Sequence, residues 1–385
     1  MSRHYLDCAS TVPLRPEARA AMDEWAASGV TADPSRVHTE GRIARATLEE
    51  ARDAVAALFR VRPRQIVFTS GGTEAVNAAV WGATAAVGEG DPGPIVLAAV
   101  EHSAVRDASV RAGPCVTVPV DRTGRIEPGT VENALARTQA EFGRGAVLVH
   151  CQWANHEVGT MQPVAEVAEV CRRAGVRLHV DAAAAAGHVS VDLGELDADM
   201  VSVSAHKLGG PPGIGALIVR RGLRIEPFLV GGAQERARRA GLENLPAAIG
   251  FGAAAAAIDA PGVLDRETSV AWRHTTRLLE VATAVPEVEV FGDANDRLPQ
   301  LICVGVRGVE AEPVLLGLDQ AGIAAHSGSS CSSEVLEPSP VLEAMGVDAE
   351  RSLRLSVGWS TTDADVNAFA GAFGPVVEDL RALRS

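Results

Sequence analysis

The chain has 385 residues, 47% of them hydrophobic and 22% charged, with a formal charge of -14. That size and composition call for a substantial core, with two domains as the expected count, and exclude a mainly disordered chain or a small disulfide-stapled scaffold. The acidic balance excludes a broad basic footprint for nucleic acid or anionic lipid, and no apolar run reaches the roughly 18 residues of a membrane span. No nucleic-acid or membrane partner is expected, and the expected location is cytoplasmic.

Helical periodicity covers 14–28 and 40–60, and the apolar run 65–69 predicts a buried strand leading through Ser70-Gly71-Gly72-Thr73 into a helix over 74–86. Short apolar runs predict further strands at 95–99, 116–120, 146–151, 177–180, 200–203 and 215–219, with helical stretches such as 163–174 between them. Alternation of this kind implies an α/β sheet with parallel crossovers and helices on both faces. Beyond about residue 250 the texture changes to helices at 252–260 and 265–284, strands at 287–291 and 299–306, and a last helix at 363–383. The expected division is a large domain over 14–255 and a smaller α+β domain made of 1–13 and 256–385.

Lysine occurs once, at 207, so 34 of the 35 basic side chains are arginine. Either one lysine survived a strong bias, or Lys207 does what a guanidinium cannot, because only an amine with an accessible neutral form makes a Schiff base. It stands at the end of an apolar strand, just before a glycine-proline turn, where an open α/β sheet places its ligands. Ser204 and His206 beside it offer donors to a phosphate. Asp181, also at a strand end, is a helix cap or the partner of a protonated ring nitrogen. Gly72 and Thr73 open a helix whose free N–H groups and dipole suit an anion, although Gly-Gly-Thr turns also occur for steric reasons alone.

His102 follows a predicted strand and is either a structural histidine or one placed to stack on a flat cofactor. Asn155 follows another and could supply an amide to a phenolic oxygen. The six cysteines lie far apart without zinc spacing, so neither disulfides nor a structural metal are expected. Cys331, among the small and polar residues of 326–334, is the chemically available thiol, with an incidental exposed cysteine as the plain alternative. Arg354 alternates with apolar residues in a strand, where an inward arginine suits a carboxylate.

Together these residues resemble a known family. YLD at 5–7, IVFTSGGTEA at 66–75, EHSAV at 101–105, ANHEVGT at 154–160, HVDAA at 179–183, VSAHKLGGPPGIGAL at 203–217 and SGSSCSSEVLEPSPVL at 327–342 are similar to the pyridoxal phosphate (PLP)-dependent cysteine desulfurases of the class V aminotransferase group, in the branch with the long cysteine loop. The resemblance implies a fold-type-I transferase, with a large domain on a mainly parallel seven-stranded sheet, and a homodimer. It implies that Lys207 holds PLP covalently and shuttles a proton, that Asp181 pairs with the ring nitrogen and that His102 stacks on the ring. Gly72, Thr73, Ser204 and His206 would bind the phosphate, Asn155 the ring oxygen or the substrate carboxylate, and Arg354 the α-carboxylate of L-cysteine. Cys331, on a loop at about 326–337, would take the sulfur as a persulfide, release L-alanine and pass the sulfur to an acceptor protein.

Two positions depart from the family pattern. Ala184 stands where a glutamine usually reaches the cofactor's ring oxygen, and Leu242 replaces a threonine whose hydroxyl reaches the partner subunit's phosphate. These departures leave two other readings: a related PLP lyase or aminotransferase acting on another amino acid, and a non-catalytic binding partner.

Overall fold

A computed structural model describes residues 3–85, 93–328 and 338–383. Strand β1 (His4–Tyr5) precedes seven strands that form one sheet: β2 (Ile66–Thr69), β3 (Ile95–Ala98), β4 (Cys115–Val118), β5 (Leu148–Gln152), β6 (Arg177–Asp181), β7 (Met200–Ser204) and β8 (Gly215–Val219). Their order is β2-β8-β7-β6-β5-β3-β4, with β8 antiparallel to both of its neighbours and the other pairs parallel. Strands β2, β3, β5, β7 and β8 are buried along their whole length, which fits a sheet covered on both faces.

The helices Pro16–Ala27, Thr39–Leu58 and Leu245–Asp259 pack together. Leu245–Asp259 is apolar nearly all round and mostly buried, and it starts at the Asn244 cap, well before the alanine cluster that announced it. A Cβ on Gly252 would lie 2.7 Å from the Ala51 Cα, so this crossing needs small residues on both helices. Helices Ser103–Ala112, Pro128–Phe142 and Ala311–Gln320 lie beyond those predicted from periodicity.

A second core gathers Leu6, Leu278, Val304, Leu353, Phe369 and Phe373 around a three-stranded antiparallel sheet. That sheet has the order β12-β10-β9, formed by β9 (Val288–Phe291), β10 (Leu301–Val306) and β12 (Ser352–Ser356). Strand β1 pairs in parallel with β11 (Ile323–Ala324), which places Leu6 in this core although it is separated from its neighbours by some 300 residues of chain.

One buried contact constrains the backbone strongly. Glu235, Arg236 and Ala237 are consecutive non-glycine residues in the left-handed region, with φ of 47°, 60° and 62°. Such conformations are costly and persist only where the surroundings impose them. Here Arg52 Nη1 and Nη2 each donate to the Glu235 carboxylate at 2.7 Å, and the Phe68 N–H donates to it at 3.0 Å. Both charges are buried, so removing one leaves the other without its partner. Arg52→Met is therefore expected to cost about 3–5 kcal/mol in stability. A thermal or denaturant unfolding curve checks this, and a variant as stable as the parent would contradict it.

Candidate active site

Parallel strands deliver their C-terminal ends to one edge of a sheet, and the predicted residues gather there. In register, Gln152 at the end of β5 pairs with Asp181 at the end of β6, and Asp181 with Ser202 on β7. Strand β2 turns at Ser70 and Gly71 into the helix Gly72–Thr84, and β7 runs into a single turn of 3-10 helix, Ala205–Lys207. A cleft at this edge is lined by Gly72, Thr73, His102, Asp181, Ser204, His206 and Lys207 together.

The Lys207 turn is clamped from several sides. The Val12 N–H donates to the His206 carbonyl at 3.0 Å, Arg15 Nε donates to the Leu208 carbonyl at 3.0 Å, and Lys207 Nζ donates to the Ala9 carbonyl. Gly209 has φ +88°, and a Cβ there would meet Arg15 Cγ at 2.6 Å, so both conformation and space demand glycine. His188 Nε2 donates to the Lys207 carbonyl at 2.9 Å.

Desolvation pushes the pKa of His188 down from 6.5 to about 4. Protons then prefer the unfolded chain, so the stability contributed by neutral His188 is whole above pH 6.5 and is lost as pH falls from 6.5 towards 4. His188→Gln keeps an N–H donor and does not titrate. Its melting temperature is expected to fall less steeply than that of the parent across this window, by up to about one proton's worth of slope. Superimposable pH profiles would refute the assignment.

Charge is distributed in a definite way. Asp181 Oδ1 accepts from the Ala183 N–H at 3.0 Å and from Ser202 Oγ at 3.1 Å, which fixes the carboxylate at the strand end. Glu101, fully buried nearby, is raised to about 8 by burial and then by the charge of Asp181, so near neutral pH it is mostly protonated and adds little negative charge. His206 is lowered to about 4, first by burial and then by the Lys207 charge, and so meets an anion as a neutral donor. His102 caps the helix Ser103–Ala112, its Nδ1 accepting from the Ala104 N–H at 3.0 Å, which leaves the ring proton on Nε2.

The donor set fits PLP. An uncapped helix N-terminus, Thr73, Ser204 and neutral His206 suit a phosphate, an anchored carboxylate suits a protonated ring nitrogen, and an imidazole and a primary amine share the same cleft. A Cβ on Gly72 would approach Ser204 Cβ to 3.5 Å, narrowing the space between helix end and strand end. Ala184 also lines the cleft, presenting only a methyl group where the family pattern has an amide.

Two predicted residues do not reach this surface. Asn155 is fully buried: its Nδ2 donates to the Val100 carbonyl at 3.2 Å and its Oδ1 accepts from the Glu157 and Val158 N–H groups at 2.8 and 2.9 Å. It builds the turn that presents its neighbour His156, which lines the cleft with its ring centroid 4.9 Å from that of His102. An asparagine followed four residues later by a left-handed glycine, Gly159 at φ +83°, is itself a turn signature and was the available clue. Arg354 is buried in β12, with Nη2 donating to Asp7 Oδ1 at 2.9 Å and to Ser10 Oγ at 2.7 Å. Gln152, at the end of β5, lines the cleft without any sequence pattern that singled it out. Cys331 and most of the 326–337 loop lie outside the described residues.

The pattern of the family described as Aminotransferase class-V matches residues 4–369. A cysteine desulfurase IscS of Dictyoglomus turgidum is 36% identical over 98% of this chain and 95% of its own length. A cysteine desulfurase of Cereibacter sphaeroides is 38% identical over 100% of this chain and 98% of its own. Among solved structures, a NifS-like protein from Rickettsia africae superposes with a TM-score of 0.87 at 26% identity, over 98% of this chain and 99% of that one. The chain belongs to the class-V aminotransferase family, in its PLP-dependent cysteine desulfurase group.

Proposed function

We propose that the chain removes sulfur from L-cysteine, releases L-alanine and holds the sulfur as a persulfide on Cys331 for transfer to an acceptor protein. The observation that carries this reading is the convergence of Lys207, Asp181, His102 and the phosphate donors on one cleft, in a chain of the desulfurase group. PLP, when bound, supplies an electron sink for the bonds around the substrate's α-carbon. The residues of this chain do the rest.

Thr73, Ser204, His206 and the start of the helix Gly72–Thr84 would hold the phosphate, and the Asp181 carboxylate would keep the ring nitrogen protonated. His102, with its Nδ1 tied to the helix start, is held in a fixed orientation with the proton on Nε2, and it would stack on the ring. The Lys207 amine takes a proton at Nζ and returns it, a task for a primary amine at the cleft wall. The Cys331 thiolate attacks the substrate sulfur: the sulfur–sulfur bond forms as the carbon–sulfur bond breaks, the electron pair stays with the carbon, and a proton completes alanine.

The same reading includes a homodimer. Val37, Val230 and Leu242 are 86%, 81% and 63% exposed, on segments that enclose a common groove lined by Pro34, Ser35, Ala233 and Gln234. Apolar exposure of this kind favours burial against another copy. A cytoplasmic location, where thiols stay reduced, is part of the same proposal.

Incubation of PLP-loaded protein with L-cysteine, with alanine quantified and protein-bound sulfur weighed by intact-mass spectrometry, tests the reaction. Alanine and a sulfur adduct appearing together support it, and neither appearing despite bound PLP refutes it.

A further inference from the structure

Lys207 and Arg354 are held by the same four residues. The turn Asp7–Ser10 closes with the Ser10 N–H donating to the Asp7 carbonyl at 3.0 Å. From this turn Ala9 offers its carbonyl to Lys207 Nζ, while Asp7 Oδ1 and Ser10 Oγ accept from Arg354 Nη2 at 2.9 and 2.7 Å. Ser10 Oγ also donates to Asp7 Oδ1 at 2.9 Å, which fixes the carboxylate against the guanidinium. The Arg354 side chain is 3% exposed and that of Asp7 16%, so the pair is largely withdrawn from water, where an ion pair is worth far more than on a surface. Arg354 Nη1 is directed elsewhere, to the His156 carbonyl at 3.2 Å. Arg354 is absent from the cleft surface and Lys207 is on it. The turn Asp7–Ser10 contacts both side chains.

A buried arginine already holding a carboxylate presents a second carboxylate with a competitor. We propose that Asp7 is a specificity-determining residue that occupies Arg354 in place of the substrate carboxylate, so that only a ligand able to displace it reaches the guanidinium. This rests on the desulfurase reading, with Arg354 as the anchor for the α-carboxylate. The apparent affinity for substrate is reduced by the fraction of molecules in which Asp7 has withdrawn. The turn lies in an irregular stretch between β1 and the helix Pro16–Ala27, and its backbone is tied to β12 by the Cys8 N–H on the Ser356 carbonyl at 3.4 Å and the Ala9 N–H on Ser356 Oγ at 2.8 Å, so the withdrawal is a motion of the Asp7 side chain.

The test is calorimetric binding of 3-mercaptopropionate, which has the carboxylate and thiol of the substrate without its amine, to PLP-loaded protein. Asp7→Asn keeps shape and removes the competing charge, and it is expected to bind about tenfold more tightly than the parent, as when a competent state rises from about a tenth of molecules to nearly all. Ser10→Ala, which loosens Asp7 without removing it, is expected to tighten binding by a smaller factor, and it carries the test should Asp7→Asn fail to fold. Equal or weaker binding by the folded variants overturns the proposal. Arg354→Lys separates this from the underlying reading: binding lost in that variant supports Arg354 as the carboxylate anchor. Binding unchanged there removes the anchor, and the proposal with it, while leaving alanine production as an independent test of desulfuration.

Discussion

Lys207→Arg is expected to lower alanine release from L-cysteine by roughly a thousandfold to ten-thousandfold. The substitution keeps a positive charge and hydrogen-bond donors beside the Ala9 carbonyl, so loss of activity would not reflect a missing cation. What arginine lacks is an accessible neutral form, and with it both the covalent hold on PLP and the capacity to take and return a proton. The prediction is unusually clean in this chain, because no other lysine exists to take over either task. Treatment with borohydride in the presence of PLP should attach the cofactor to the parent at the peptide carrying Lys207 and leave the variant unlabelled. Activity within tenfold of the parent, or a cofactor adduct elsewhere, would remove Lys207 from the centre of the reaction.

The residues most legible in the sequence are those whose role follows from strand position. Asp181, Ser204 and Lys207 stand at or just after the ends of apolar runs, and a parallel sheet carries such ends to one edge whatever its exact register. The turn before the helix Gly72–Thr84 was legible for the same reason, as a strand passing through glycines into a helix. Register is where that reasoning stops. Asn155 and His156 are adjacent, and only the turn geometry decides which of them faces the cleft.

Contacts distant in sequence were out of reach for a different reason. QERARR at 234–239 contains good helix formers, yet Glu235 to Ala237 adopt left-handed backbone because a carboxylate there must reach Arg52, 183 residues earlier. The partners of Arg354 likewise come from the opposite end of the chain, Asp7 being 347 residues away. An alternating strand pattern shows that an arginine points inward, and it cannot show what is already waiting for it.

Cys331→Ala is expected to abolish protein-bound sulfur and to reduce alanine release at least about a thousandfold, the scale on which removing a nucleophile acts. Five other cysteines are present. Cys8, Cys151, Cys171 and Cys303 are buried, and burial pushes the first and third of these thiols up to about 12 and the other two further from the thiolate form. Cys115 is half-buried and also raised by desolvation. None of the five is suited to attack as a thiolate near neutral pH. Cys331 is left, three residues beyond Gly328, whose N–H donates to Ser352 Oγ at 2.9 Å. On its other side Ser339 caps the helix Pro340–Ala344, and its Oγ donates to the buried Glu157 at 2.5 Å. Glu157 follows directly on His156 of the cleft wall. Cys115→Ser is the control, expected to keep both alanine release and bound sulfur. Alanine formed at the parent's rate by Cys331→Ala would show that the sulfur leaves without this thiol, and a PLP lyase would then describe the chain better than a persulfide-forming desulfurase.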